Sequence, residues 1–345
     1  MLEFFSTYAM FFLKAITMVV AILMIFGGLG LIASRNKHKS REKMTIRNLN
    51  EKFEEMKFAI NAEVLDKKTF KTWQKEEKQK HKEKEEKISE GKSKDKKKHL
   101  EENKRVFVLN FEGDMKASTV GNLREAVTSV LSVAKKTDEV VVKVESPGGE
   151  VHGYGLAASQ LQRIRDRKIP LTVAVDKVAA SGGYLMACVA DKILAAPFAI
   201  LGSIGVVAEI PNFNRLLKKH DIVYEQITSS EYKRTLSMFG ENTPKGRKKM
   251  QEDVEEVHQL FENFISKHRP QVDIDKVATG EHWYGTRALE LKLVDEIQTT
   301  DDYLLNLSEK AKIYEVDYVI RKPLAERVGL AAHKAISNLM CFAGK

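Results

Sequence analysis

Residues 178–193, VAASGGYLMACVADKI, decide how this chain is read. An apolar run, IPLTVAV at 169–175, leads in as a strand; Ser181 and two glycines then interrupt it, and an apolar helical pattern resumes. A serine on a strand-to-helix corner exposes its hydroxyl, and the helix behind it offers unpaired N–H groups and the positive end of its dipole. Gly182 and Gly183 keep side chains away from that hydroxyl. These are the parts of an acyl-transfer site: an oxygen nucleophile and donors for a developing oxyanion. Serine before Gly-Gly is also an ordinary helix N-cap, so the corner alone assigns no chemistry.

Outward from the corner, VFVLNF (106–111) and EVVVKVES (139–146) have strand composition and alternate with helical patterns at 118–134 and 151–167. That alternation predicts an α/β domain. Two more glycine corners follow strand-like runs, ESPGGEV at 145–151 and GSIGV at 202–206, and SPGG (146–149) offers a second amide donor at Gly149. Farther on, DKILAAP (191–197) and GSIGVV (202–207) read as short strands, 211–220 as a helix and IVYEQIT (222–228) as another strand. A long helix is predicted from Pro244, with Thr243 as its N-cap and Arg269-Pro270 as its end. Along it Met250, Val254, Val257, Phe261 and Phe264 recur at three- and four-residue spacing. Asp191, Lys192, Pro197 and the glycines argue against a membrane span over 178–208.

The N-terminal segment is of another kind. Ala15 to Ala33 carry no charged residue, and at about 1.5 Å per residue a helix of that length nearly crosses a hydrocarbon core of roughly 30 Å. Residues 1–34 are therefore predicted as an uncleaved anchor, since Met1, Leu2 and Glu3 give no basic leader and the run ends at Arg35 instead of a small-residue cleavage site. The basic flank RNKHKSREK (35–43) favours a cytoplasmic location for the chain that follows. Residues 35–104 interleave lysine with glutamate and are predicted as a charged linker, helical or disordered. Much of the formal net charge of +9 sits there, yet no aromatic residue falls between Gln74 and Lys104, so base stacking has no support and no nucleic-acid partner is expected. Cys188 and Cys341 are too few for a disulfide framework or a zinc cluster. The run from Leu324 to Phe342 is basic and amphipathic, the pattern of a packing or oligomer-contact helix.

A serine nucleophile needs a base. His258 and His268 fall on the long polar-faced helix, His220 sits in KKHD, and no histidine of the domain has an evident paired acid on a strand-end loop. Lysine is the other choice, and Lys233 in SSEYKR (229–234) follows a strand-like run. Holding a lysine neutral at pH 7 against its usual value near 10.4 costs about 4.6 kcal/mol, which demands a water-excluding pocket without a carboxylate partner. Activity would then rise with pH through an apparent value below that of free lysine.

The ordered set SPGG, DKVAASGGY (176–184), GSIGV, EYKR (231–234) and ATGEHWYGTRALELKLVDEI (278–297) resembles the signal peptide peptidase A family of serine proteases, above all its membrane-anchored bacterial members. The resemblance implies an α/β fold of the ClpP/crotonase type, a spiral of ββα repeats over 105–320, with 321–345 as a basic tail. It implies Ser181 as nucleophile, Lys233 as general base, Ser203 as the hydroxyl that orients the lysine amine, and the N–H groups of Gly149 and Gly182 as the oxyanion hole. No metal or organic cofactor is implied. The expected partners are peptide or protein substrates, membrane lipids around the anchor, and further copies in a homo-oligomeric ring whose serine and lysine come from neighbouring protomers. The expected location is the bacterial inner membrane; the resemblance implies a periplasmic catalytic domain and the basic flank a cytoplasmic one, so the side stays open, and a second span at 185–207 would reconcile the two. One residue departs from the family pattern: Lys292 stands where glycine is common before the leucine, at a cost on the order of 1 kcal/mol in a helix C-cap. Two other functions use part of the same sequence. An acyl-CoA hydratase or thioesterase would employ the same amides but lacks a pair of acids near SPGG, and a catalytically silent membrane scaffold or quality-control adaptor would keep only the anchor and the fold.

Overall fold

The computed structural model describes residues 42–90 and 104–320, together with Met10, Lys14, Thr17 and Met18. Its central sheet follows from alternation. In β2 (Arg105–Glu112), Phe107, Leu109 and Phe111 bury on one side and Val106 and Val108 on the other. β3 (Glu139–Glu145) sets Val140, Val142 and Val144 against Val141, and β4 (Leu171–Val175) sets Leu171, Val173 and Val175 against Ala174. β6 (Lys192–Ala195) does the same with Ile193 and Ala195 against Leu194. Strands apolar on both faces belong inside a parallel sheet covered by helices, and each large side chain so buried contributes about 1.5–3 kcal/mol.

The sheet has seven strands in the order β1 (Glu42–Asn48), β10 (Lys312–Ile320), β2, β3, β4, β6, β9 (Glu296–Ile297). All pairs from β10 to β9 are parallel. One face carries α3 (Val120–Leu131), α4 (Val151–Asp166) and α5 (Gly182–Ala187). The other receives Leu49 from α1 (Leu49–Val64) and Leu304 from α10 (Thr300–Ser308). The mixed α/β class predicted from the sequence is the one observed.

The charged stretch after residue 41 enters this sheet, which its composition does not announce. The Asn50 side chain donates to the carbonyls of Ser308 and Ala311 at 2.9 Å each and accepts from the Ile313 N–H at 2.7 Å. Beyond it α1 and α2 (Lys67–Glu90) are helical and meet through Phe58, Phe70 and Trp73.

A second, three-stranded sheet positions the site. It holds β5 (Val178–Ala180), β7 (Ile200–Gly202) and β8 (His282–Tyr284), with β5 parallel and β8 antiparallel to β7. Ser146 adds an isolated parallel bridge to Ala179. The C-terminal ends of β3, β4 and β6 thus run on, through Ser146, β5 and β7, into one layer that gathers the three glycine corners.

Two predicted strands come out differently. GSIGVV contributes only Gly202 to β7, because Ser203 turns to a φ of 51° and leaves the ladder. IVYEQIT pairs with no strand among the described residues and is exposed, since strand composition forms a strand only where an edge is available. The helix expected over 211–220 is α6 (Asn214–Lys219). The long helix is α7 (Pro244–His268), capped by Thr243 Oγ1 accepting from the Gly246 N–H at 3.0 Å. After it come α8 (Ile274–Val277) and α9 (Gly285–Glu290). Residues 185–207 are divided among α5, β6 and β7 and form no continuous helix. Among the described residues no helix is long and apolar enough to cross a membrane. The predicted anchor, apart from four of its residues, the linker at 91–103 and the tail at 321–345 lie outside the described residues.

Candidate active site

Ser181 sits between β5 and α5 with φ 49° and ψ −118°. That is a conformation glycine adopts freely and other residues adopt at about 1–3 kcal/mol. The surroundings hold it there: its N–H donates to the Gly202 carbonyl at 2.7 Å, its carbonyl accepts from the Leu185 N–H at 2.9 Å, and the Ala180 N–H donates to Ser146 at 3.0 Å. The Ser181 side chain makes no cap hydrogen bond to α5. An ordinary N-cap serine would do so, so the hydroxyl is left for another use. By position the N–H groups of Gly182 and Gly183 open the helix without intrahelical acceptors.

Backbone crowds this corner wherever the sequence has glycine. A Cβ on Gly148, whose φ is 92°, would lie 2.7 Å from the Ser181 Cβ and 2.8 Å from the Gly182 nitrogen. One on Gly183 would lie 2.6 Å from the Ser146 carbonyl oxygen, and one on Gly182 would enter the Tyr154 ring. A Cβ on Gly149 would strike the Met115 carbonyl, beside the point where the Glu150 N–H donates to that same carbonyl at 2.8 Å. The SPGG corner and the Ser181 corner are therefore in contact.

Two side chains beneath them were not singled out from the sequence. Ser146, fully buried, accepts from the Gly148 N–H at 3.1 Å and lies 2.5 Å from the Tyr154 hydroxyl, which donates to the Asp114 carbonyl at 2.7 Å. The only local signal was that Ser146 opens SPGG; Tyr154 reads as one more apolar position of α4.

Ser203 lies on the adjoining corner. The register pairs Ala180 with Gly202, the residue that also accepts the Ser181 N–H, and the Ser203 N–H donates to the Glu281 carbonyl at 2.6 Å. Ser181 and Ser203 thus follow the paired ends of β5 and β7, with Gly182 next to Ser181 and the SPGG corner packed against it through Gly148. Lys233 makes no hydrogen bond to any of them. It is exposed on the segment between β7 and α7, its N–H donates to Ser230 at 3.2 Å, and its amine meets no hydrogen-bonding or ionic partner among the described residues.

Beneath the corner the buried Arg269 guanidinium is paired with Asp295 at 2.8 and 2.9 Å. Burial pushes the Cys188 thiol well above its usual range and does the same to the Tyr184 hydroxyl, which donates to the Leu293 carbonyl at 2.9 Å. The buried carboxylates Asp138 and Glu139 stand at the start of β3, the end of the sheet remote from the corners. Such a corner suits a neutral nucleophile attacking a carbonyl with backbone amides around the oxygen.

The chain matches the model described as peptidase family S49 N-terminal over residues 3–161 and that described as peptidase family S49 over 163–314. It is 46% identical over 351 aligned positions to "Probable protease SohB" of Haemophilus influenzae, covering 98% of this chain and 96% of that one. To the protein of the same description from Buchnera aphidicola subsp. Schlechtendalia chinensis it is 47% identical over 308 positions, 88% of this chain and all of the other. Among solved structures, a mutant of the 1510-N membrane-bound stomatin-specific protease with a substrate peptide aligns at 13% identity and a TM-score of 0.41, covering 66% of this chain and 96% of that one.

Proposed function

Because the chain belongs to peptidase family S49, we propose that it is a membrane-anchored serine endopeptidase that cleaves signal-peptide-like or unfolded peptides with Ser181 and Lys233. The observation that carries this reading is the strained, uncapped Ser181 at φ 49° and ψ −118°, with bare Gly148 and Gly182 backbone against it. Strain retained at a half-buried, uncapped hydroxyl marks a functional position.

The chemistry follows from those parts. The Ser181 hydroxyl attacks the scissile carbonyl carbon while the Lys233 amine takes its proton. The carbonyl oxygen, now negative, is held by the N–H groups of Gly149 and Gly182. The intermediate collapses by breaking the C–N bond, the leaving amine takes the proton from lysine, and an acyl-serine remains. Water, deprotonated by the same lysine, releases the acid and restores the serine. Ser203 accepts a hydrogen bond from the lysine amine or donates one to it, according to its protonation.

In this reading Lys233 reaches Ser181 from a neighbouring copy, and the working enzyme is a ring with each dyad divided between neighbours. The segment carrying Lys233 supports this. It exposes Val207 at 78%, Val223 at 83% and Ile227 at 96%, an apolar display that marks an interaction surface. The unpaired strand composition of 222–228 is what a segment meant for a neighbouring copy would have. The three corners fed by β3, β4 and β6 support a ClpP/crotonase-like spiral. The uncharged run Ala15 to Ala33 supports an anchor in a bacterial inner membrane.

Purified, detergent-solubilised protein tests the reading directly. It should react with a fluorophosphonate probe and hydrolyse an unfolded peptide, and Ser181→Ala should lose both. Lys233→Ala should lose hydrolysis while remaining folded. Probe labelling that survives Ser181→Ala rejects the assignment.

A further inference from the structure

We propose that Ser146 and Tyr154 are positioning residues that set the oxyanion-binding backbone of the SPGG corner against Ser181. The inference deepens the peptidase reading and rests on it.

The chain of hydrogen bonds has one direction. The Asp114 carbonyl can only accept, so the Tyr154 hydroxyl, 2.7 Å away, spends its proton there. Ser146 Oγ, 2.5 Å from that hydroxyl, must then donate to it, and this turns an oxygen lone pair toward the Gly148 N–H at 3.1 Å. The peptide next to the Gly149 amide is thereby fixed from below. Burial raises the Tyr154 phenol above its ordinary value, although its contact with Ser146 works the other way, so the donor stays protonated at any working pH.

The same two residues grip the nucleophile's corner. The Ser146 N–H donates to the Val178 carbonyl at 2.8 Å, and its carbonyl accepts from Ala180, the residue before Ser181, at 3.0 Å. The Tyr154 ring, packed edge-on against Phe111 at 6.2 Å, fills the space a Gly182 side chain would need. One buried serine and one buried tyrosine therefore hold Gly148 on one side and Ala180 and Gly182 on the other, the two sides between which a substrate carbonyl must fit. Neither residue touches substrate. Their contribution is to place donors, and misplacing such donors lowers the rate of the chemical step more than substrate binding.

Tyr154→Phe removes one oxygen and keeps the ring; Ser146→Ala removes the hydroxyl that meets Gly148. Each is expected to lower kcat on a peptide substrate by roughly tenfold to a hundredfold with KM within about twofold. Each should also slow fluorophosphonate labelling of Ser181 in parallel, without moving the pH midpoint of activity. Because both act through the same amide, the double variant should lose no more than the worse single one. Wild-type kcat in Tyr154→Phe, a change confined to KM, or additive losses would each overturn the inference. Should Ser146→Ala fail to fold, Tyr154→Phe decides alone, with its labelling rate normalised to the folded fraction. Failure of this inference is distinct from failure of the peptidase reading: in the first, Ser181 labels at the normal rate in Tyr154→Phe, and in the second, labelling does not depend on Ser181 at all.

Discussion

At Ser181 the backbone and the chemistry make opposite demands. A φ of 49° with ψ −118° suits glycine, and the bonds to Gly202 and Leu185, with the hydrogen bond from Ala180 to Ser146, hold a serine in it. Replacing it by glycine should therefore raise stability by about 1–2 kcal/mol while abolishing peptide hydrolysis. Ser181→Ala, still bearing a Cβ, should be equally inactive without that gain. Denaturant unfolding of the two variants beside the parent separates them; equal stability would mean that the corner is unstrained. The residue sequence made Ser181 conspicuous through the glycines beside it. It did not disclose Ser146 or Tyr154, whose parts come from what lies opposite them in space.

Among the elements, the helix ends carry local physics that the sequence states openly. Thr243 and Pro244 start α7 where expected, because an N-cap hydroxyl and a fixed φ act within four residues. Lys292 departs from that economy. It takes a φ of 60° after α9, and the Leu293 N–H reaches back to the Ala288 carbonyl at 2.9 Å, the closure that glycine normally makes. Lys292→Gly should stabilise the protein by about 1 kcal/mol, read as a higher denaturation midpoint with unchanged peptidase activity. Just before β3 the buried Asp138 supports the end of the sheet remote from the corners. Burial works to raise its carboxyl, but the bonds from Arg105 at 2.6 and 3.1 Å and from the Lys135 N–H at 2.7 Å outweigh this and hold it below the usual range. A depressed carboxyl adds stability above its unfolded value near 3.9 and loses it as pH falls through the folded value. Asp138→Asn should thus cost about 2 kcal/mol at pH 7, and the gap to the parent should close as unfolding is measured below about pH 4.

At the scale of the whole molecule, Lys233 is exposed on the segment between β7 and α7, where a neighbouring copy can reach it. If neighbours share the dyad, Ser181→Ala and Lys233→Ala proteins, each inactive, should regain about a quarter of parental activity when rings are assembled from an equal mixture. Mixed rings without activity would reject the sharing. Ile227→Asp, placed on the most exposed apolar residue of that segment, should leave the subunit folded, reduce the oligomer measured by light scattering, and remove activity with it. A fully active monomer would show that the dyad closes within one chain.

What the sequence determined alone is whatever acts over a few residues or repeats with a fixed period. The strands expected at 106–111 and 139–146, the glycine corners and the cap at Thr243 are legible because strand composition, turn chemistry and capping are local. What only the tertiary structure decided is pairing. β1 joins β10 from within a stretch that reads as charged linker, IVYEQIT pairs with no strand among the described residues, and Ser146 and Tyr154 meet beneath Ser181. Hydrogen bonds between strands and contacts between corners depend on which distant segments are brought together, and local composition does not specify that.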